Sequence, residues 1–335
     1  MTIKIINADC REALRTLPDQ SVHCCVTSPP YFGLRDYGHA GQIGLEPTPD
    51  EFVAAMVEVF REVKRVLRDD GTLWLNLGDS YNAQPGQRKV TDKAGSKQQS
   101  NAGSPGAPSR NVAGLKPKDL IGIPWRVAFA LQADGWYLRQ DIIWSKPNPM
   151  PESVQDRCTK AHEYIFMLSK SKSYYYDIEA IKEPATYPDD DRKARAHVDH
   201  KRAPDEMISG IRPRADKQRG HGRRHAGFND RWDAMEKTEQ CSGMRNKRSV
   251  WSVATQPFSE AHFATFPPAL IEPCVKAGCP VGGTVLDPFG GAGTTGLVAD
   301  RLQRSAILIE LNPEYATMAD RRIRNDAPLF AEAAE

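Results

Sequence analysis

The sequence predicts an α/β fold with a mostly parallel, twisted sheet flanked by helices. Three observations carry this reading. Short apolar runs that end in polar residues, such as Ile3 to Asn7 and Val22 to Thr27, have the pattern of strands buried on both faces. Stretches of helical period separate them, and strand alternating with helix builds a parallel sheet. A glycine-rich turn from Asp287 to Gly296 then joins a strand to a helix near the C-terminus.

Each element follows from local signals. Arg11 to Leu17 is a short helix after the first strand. Thr48-Pro49-Asp50-Glu51 is a capping box with proline in the first turn, and Phe52, Met56, Val59, Val63 and Val66 continue at helical spacing as far as Asp70-Gly71. Thr72 to Leu77 reads as a strand, Pro124 to Gln132 as a helix ending near Gly135, and Tyr137 to Trp144 and Tyr164 to Leu168 as strands. Pro267 to Lys276 is helical, Thr284 to Leu286 a strand, Thr294 to Leu302 a helix and Ser305 to Glu310 a strand. Asn312-Pro313 starts a last helix carrying Tyr315, Met318 and Ile323. No internal repeat competes with this pattern.

Composition narrows the class. The 335 residues are 40% hydrophobic and 26% charged, within the soluble globular range, which excludes collagen, coiled coil and disorder over the full length. No uncharged apolar run is long enough to span a bilayer, and the N-terminus has no secretory pattern, so the expected address is the cytoplasm. Seven cysteines without a C-x-x-C pair read as reduced, mostly buried thiols, with neither a disulfide framework nor a metal site.

The net charge of +2 conceals a division. Asp191 to Arg248 holds 16 Lys and Arg against 9 Asp and Glu, and Asn82 to Lys118 holds 7 against the single Asp92. The rest of the chain carries a balance of −11. Hydrophobic periodicity fails in the same two places. Residues 82–118 read as a mobile basic loop. From Asp189 to Lys247 only Ile211, Phe228, Trp232 and Met235 offer apolar anchors, which suits a small subdomain or a segment that orders on a partner.

The glycine turn reads Asp287-Pro288-Phe289-Gly290-Gly291-Ala292-Gly293-Thr294-Thr295-Gly296. Glycines let the backbone approach a ligand, and the following helix N-terminus favours a carboxylate. Gly291, Gly293 and Gly296 also match a dinucleotide fingerprint, with Glu310 placed 19 residues on as a ribose-binding acid. Asp287 directly before the glycines opposes a pyrophosphate, however. It suits a ligand with a positive group: S-adenosylmethionine has an ammonium for Asp287, ribose hydroxyls for Glu310 and no phosphate. Asp9, ending the first strand, is either an acceptor for the adenine amine or a cap for the helix that follows.

Thr27-Ser28-Pro29-Pro30-Tyr31 follows a buried strand. Two prolines fix the backbone and remove two donors, leaving the Ser28 hydroxyl and Pro29 carbonyl as projecting acceptors beside an aromatic ring. Such a group suits an exocyclic amine on a planar base, with Tyr31 stacking on it. A proline-rich turn without function is the plainer alternative.

T-S-P-P-Y near the N-terminus and D-P-F-G-G-A-G-T-T-G near the C-terminus together resemble the β-group DNA amino-methyltransferases, in which the catalytic half precedes the cofactor half. Trp144-Ser145-Lys146-Pro147 with Asn148, His162-Glu163-Tyr164, His262 to Pro267 and Ile309 to Pro313 agree, so the resemblance spans about residues 3–183 and 248–325. It implies a Rossmann-like methyltransferase domain of permuted motif order: catalytic half 1–183, target-recognition region 184–248, cofactor half 249–326 and tail 327–335.

The resemblance further implies that Ser28, Pro29, Pro30 and Tyr31 hold the target. Asp287, Pro288, Phe289, Gly291, Gly293, Thr294 and Glu310, with Asp9, would hold S-adenosylmethionine, and Phe263 or Thr265 would line its methionine side. Arg212, Arg214, Arg219, Arg223, Arg224 and Lys146 are expected on DNA, where basic side chains neutralise phosphates or read guanine. Double-stranded DNA and a cognate restriction endonuclease are the expected partners of a monomer or homodimer.

In the implied reaction the target base flips out, stacks on Tyr31 and is methylated by direct attack. The proton leaves to water, and no cysteine nucleophile is needed, Pro273-Cys274 lying in an apolar helix. Serine as first residue of the tetrapeptide is associated in the family with cytosine N4, and aspartate with adenine N6. N4-cytosine is therefore expected, with adenine N6 as the alternative. A nicotinamide dehydrogenase, a nucleic-acid-binding protein without catalysis, and an RNA substrate are the competing readings.

Overall fold

A computed structural model describes residues 1–34, 36, 38–39, 41–82, 114–185, 243–256 and 265–326. The chain separates into two compact units: residues 1–180 with 248–335, and residues 181–247. In the smaller unit, β6 (Glu183–Pro184) pairs antiparallel with β7 (Met244–Arg245), and Arg245 Nε donates to Glu183 Oε1 at 3.0 Å.

The larger unit is built on an eight-stranded sheet. Its strands are β1 (Ile3–Asn7), β2 (Val22–Thr27), β3 (Leu67–Leu77), β4 (Tyr137–Ser145), β5 (His162–Ser169), β8 (Val250–Ser252), β9 (Thr284–Asp287) and β10 (Ser305–Glu310). Their order is β1-β10-β9-β2-β3-β5-β4-β8. All neighbouring pairs are parallel except those of β5, which runs antiparallel between β3 and β4.

Both faces of the sheet are covered, as parallel strands require. Along β3, Leu73, Leu75 and Leu77 join one core with Leu14 of α1 (Cys10–Thr16), Phe52, Met56 and Phe60 of α2 (Pro49–Val66), and Val127 and Leu131 of α3 (Ile123–Ala133). Trp74 points the other way: a Cβ on Gly278 would stand 2.6 Å from its Nε1. Gly278 ends α4 (Pro268–Gly278), which lies with α5 (Thr294–Arg301) and α6 (Pro313–Asp326) on that second face.

Thr48 caps α2 as expected, with Glu51 N donating to Thr48 Oγ1 at 3.2 Å, while the Glu51 carboxylate accepts from the Thr48 hydroxyl at 3.0 Å and not from the backbone amide of a full capping box. The helix nevertheless ends at Val66 and not at Asp70-Gly71. Leu67 is extended, at φ −65° and ψ 141°, and β3 starts there because Leu67 pairs with Val22 of β2. Pairing between two interior strands thus overrides a polar run that reads as a helix stop. The short strand β8 was not expected; it is held by pairing with Ile143, Trp144 and Ser145 of β4.

Two connections leave the sheet centre in opposite directions. From β9 the chain passes through α5 to β10, and from β2 through α2 to β3 on the other side. Open α/β sheets bind ligands in the crevice beyond the C-terminal strand ends at such a switch point, here those of β9 and β2. The Asp287 turn and the Ser28 turn leave from those two ends.

Candidate active site

Thr27 and Asp287 close the floor of the crevice. Thr27 Oγ1 donates to Asp287 Oδ1 at 2.6 Å, Phe289 N to the same oxygen at 3.0 Å, and Thr295 Oγ1 to Oδ2 at 2.6 Å. The Asp287 side chain is buried, and burial pushes its carboxyl up to about 6 against the pull of these donors. This corrects the sequence reading. Asp287 is not an open charge for a cofactor ammonium; it ties the glycine turn, the start of α5 and the end of β2 together.

Glu310, at the end of β10, is held beside the glycine turn. Gly291 N donates to its Oε2 and Asn312 N to its Oε1, both at 2.8 Å, which fixes the carboxylate beside the glycine turn and leaves each oxygen further accepting capacity. Burial raises its pKa, and these two amides oppose the shift.

Along the turn, Phe289 N donates to Asp287, Gly290 N to the Ile309 carbonyl, Gly291 N to Glu310 and Gly293 N to the Gly290 carbonyl. These bonds hold the turn, and the amides of the first helical turn from Thr294 lie beyond them. The Glu310 carboxylate held beside this turn fits the ribose hydroxyls of a nucleoside cofactor. Gly293 serves packing as well as the turn. It has φ +76°, and a Cβ there would lie 2.8 Å from Ala319 Cβ on α6.

Other expected cofactor residues play structural parts. Asp9 caps α1, accepting from Arg11 N at 2.8 Å and from the Arg11 guanidinium at 3.0 and 2.5 Å, so the capping reading is the one realised. These bonds hold its carboxyl below the usual range. Thr294 is buried and accepts from Arg322 Nη1 at 3.0 Å, which turns it toward α6. Pro288 is buried and Phe289 half-buried against the core. Thr265 lines a cavity of about 480 Å³ with Leu297, Arg322 and Asp326.

On the target side, Ser28 and Tyr31 are half-buried and Pro29 buried. The Ser28 hydroxyl makes no hydrogen bond among the described residues and is available as an acceptor. Pro30 packs under Gly44, where a Cβ would approach to 3.2 Å, and Gly33 N donates to the Gly44 carbonyl at 2.8 Å, holding the turn. The Tyr31 hydroxyl donates to Glu163 Oε2 at 2.7 Å.

Lys146, expected on DNA, is instead paired with Glu163 Oε1, and its Nζ sits 4.3 Å from the centre of the Trp144 ring. With a side chain 18% exposed and a carboxylate partner, it is not a free phosphate contact. Sequence reasoning assigned no role to Glu163. The available signal was an acid at the head of the apolar run Tyr164 to Leu168. Phe263, the five arginines 212, 214, 219, 223 and 224, and the anchors Ile211, Phe228, Trp232 and Met235 lie outside the described residues.

Among the described thiols Cys158 is exposed and the other five are buried. Cys274 is buried in α4, and burial pushes Cys24 and Cys25 well up and Cys10 and Cys279 to about 12. Among the described residues no helix is long and apolar enough to cross a membrane, and no group of three or more His, Cys, Asp or Glu could hold a metal ion.

Fold and site define the class: an α/β enzyme with a nucleoside-type strand end on one side of the switch point and an acceptor-bearing proline turn on the other. The chain belongs to the N4/N6 DNA methylase family, whose model matches residues 22–321. It is 48% identical over 320 residues to Type II methyltransferase M.SmaI of Serratia marcescens, covering 96% of this chain and 90% of that protein. Type II methyltransferase M.XycI of Xanthomonas campestris pv. cyanopsidis is 45% identical, with 96% and 87% covered. Two solved structures share the fold. PvuII DNA methyltransferase (cytosine-N4-specific) has a TM-score of 0.58 at 17% identity over 99% of this chain and 94% of that one. A putative DNA modification methylase of Thermus thermophilus, complexed with S-adenosyl-L-methionine, has a TM-score of 0.55 at 23% identity over 98% of both chains.

Proposed function

We propose that this protein is a site-specific methyltransferase that moves a methyl group from S-adenosylmethionine to the exocyclic N4 amine of cytosine in duplex DNA. The observation that supports this reading is the bond between Thr27 and Asp287, 2.6 Å long, because Ser28 and Pro288 are the next residues on each side. The turn suited to an amine thereby starts beside the turn suited to the cofactor.

When bound, S-adenosylmethionine supplies an electrophilic methyl on a sulfonium. Glu310 accepts from its ribose hydroxyls, and the glycine turn lets the nucleoside lie close to the backbone. Tyr31 stacks on the flipped base, recovering part of the few kcal/mol that extrusion costs. The Ser28 hydroxyl and Pro29 carbonyl accept from the amine hydrogens, drawing the nitrogen lone pair out of the ring and aiming it. Catalysis is mainly this positioning of two bound reactants, and the amine proton leaves to water.

The basic segments 82–118 and 184–248 supply positive charge for DNA phosphates, the second carrying the recognition residues. Homology to type II methyltransferases supports a place in restriction-modification beside an endonuclease cutting the same site. Nucleoside mass spectrometry of DNA from a methylation-free host expressing the protein tests the reading: N4-methylcytosine is expected, and N6-methyladenine alone would move the target to adenine.

A further inference from the structure

We propose that Glu163 and Gly78 form the seat that fixes the Tyr31 ring for stacking, so that both are positioning residues; this rests on the role of Tyr31 proposed above. Tyr31 follows two prolines in a turn, and its own backbone sets the ring direction only loosely. Three groups from other strands complete the restraint. Glu163 Oε2, at the start of β5, accepts from the hydroxyl at 2.7 Å, and Asn76 Oδ1, near the end of β3, lies 3.2 Å away as a second acceptor. Gly78, one residue past β3, lies against the ring: a Cβ there would come within 2.5 Å of Tyr31 Cε2, 3.0 Å of Cδ2 and 3.2 Å of Cζ. Any other residue at position 78 would displace the tyrosine.

Glu163 is itself held. Its Oε1 pairs with Lys146, and Asn76 Nδ2 donates to the Tyr164 carbonyl at 3.0 Å while standing 3.4 Å from Glu163 Oε2. The Glu163 and Lys146 side chains are only 15% and 18% exposed. Drawing a charged pair out of water is costly, and simple core packing of a tyrosine does not call for it. The acceptors fix the phenol oxygen, which lies on the axis of the ring, and Gly78 against the ring carbons restricts the ring plane; together they give what a stacking platform needs.

A double-mutant cycle on the full-length protein tests this, using Tyr31→Phe, Glu163→Gln and the pair. A hydrogen bond to a charged group is strong enough that each single variant is expected to lose roughly tenfold in kcat, with S-adenosylmethionine affinity by calorimetry unchanged. In the Tyr31→Phe background Glu163→Gln is then expected to cost less than about twofold, because its target hydroxyl is gone. Gly78→Ala is expected to give the same kcat loss and to lower the fluorescence response of 2-aminopurine placed at the target base. Multiplying losses in the cycle, or wild-type turnover in Tyr31→Phe, would overturn the proposal. Should Glu163→Gln fail to fold, Tyr31→Phe with Gly78→Ala decides alone. A wild-type protein that methylates no base amine would instead refute the proposed function, which separates the two failures.

Discussion

Thr27 and Asp287 stand 260 residues apart in sequence, yet the threonine hydroxyl donates to the carboxylate at 2.6 Å at the centre of the sheet. The bond joins the ends of β2 and β9, the two strands between which the sheet changes direction. Each strand end carries one half of the site. Their separation is therefore set in the core and not by mobile loops.

Thr27→Val keeps the shape and removes the donor. A buried carboxylate that loses one of three donors should cost about 1–3 kcal/mol of stability. Methyl transfer should fall further than stability requires, because both turns shift. Denaturant unfolding together with turnover at a temperature where the variant stays folded checks this, and unchanged turnover would remove the bond from the account.

Asp287 also gives stability a pH dependence of definite sign. Burial raises its carboxyl from 3.8 to about 6, so between those values the folded protein binds more protons at this residue than the unfolded chain. Its contribution is therefore largest below pH 4, falls as pH rises toward 6 and is flat above. Asp287→Asn does not titrate. The stability difference between wild type and this variant should shift by roughly 2–3 kcal/mol from pH 4 to pH 7, against wild type as pH rises. A difference constant with pH would show that Asp287 titrates normally.

Gly293→Ala meets two obstacles, a φ of +76° and a Cβ within 2.8 Å of Ala319 Cβ. Strain and overlap together should cost about 1–3 kcal/mol or more and push α5 from α6. Thermal unfolding should show the loss, and calorimetry should show weaker S-adenosylmethionine binding. An alanine variant with both unchanged would mean the turn relaxes freely.

Much of the fold was legible because local signals and tertiary pairing agree. Ile3–Asn7, Val22–Thr27 and Ser305–Glu310 form strands with the expected bounds, and Thr48 caps α2 where expected. The end of α2 was not legible, since Leu67 is extended by its pairing with Val22, a contact no local window contains. The site divides in the same way. The two turns could be named from glycine and proline, whose backbone chemistry is local. Whether a carboxylate faces ligand or core depends on its neighbours: Asp287 and Lys146 were read toward ligands and are engaged by Thr27, Thr295 and Glu163, Asp9 takes the capping one of its two readings, and Glu163 was given no role. The position of Glu310 beside the glycine turn could be read because a strand end and a turn fix it.

Deleting residues 189–247 should abolish site preference while S-adenosylmethionine still binds, because the cofactor turn belongs to the other compact unit. Methylation of duplexes differing in sequence checks the first part, and calorimetry the second. Retained site preference would place recognition elsewhere in the chain.

The most direct test of the central claim uses purified protein, duplex DNA and S-adenosylmethionine labelled in the methyl group, with the labelled nucleoside identified by mass spectrometry. The wild type should place label on N4 of cytosine, while Ser28→Ala should bind the cofactor normally and transfer label slower by orders of magnitude. Label on another atom, or full transfer by Ser28→Ala, would contradict the account.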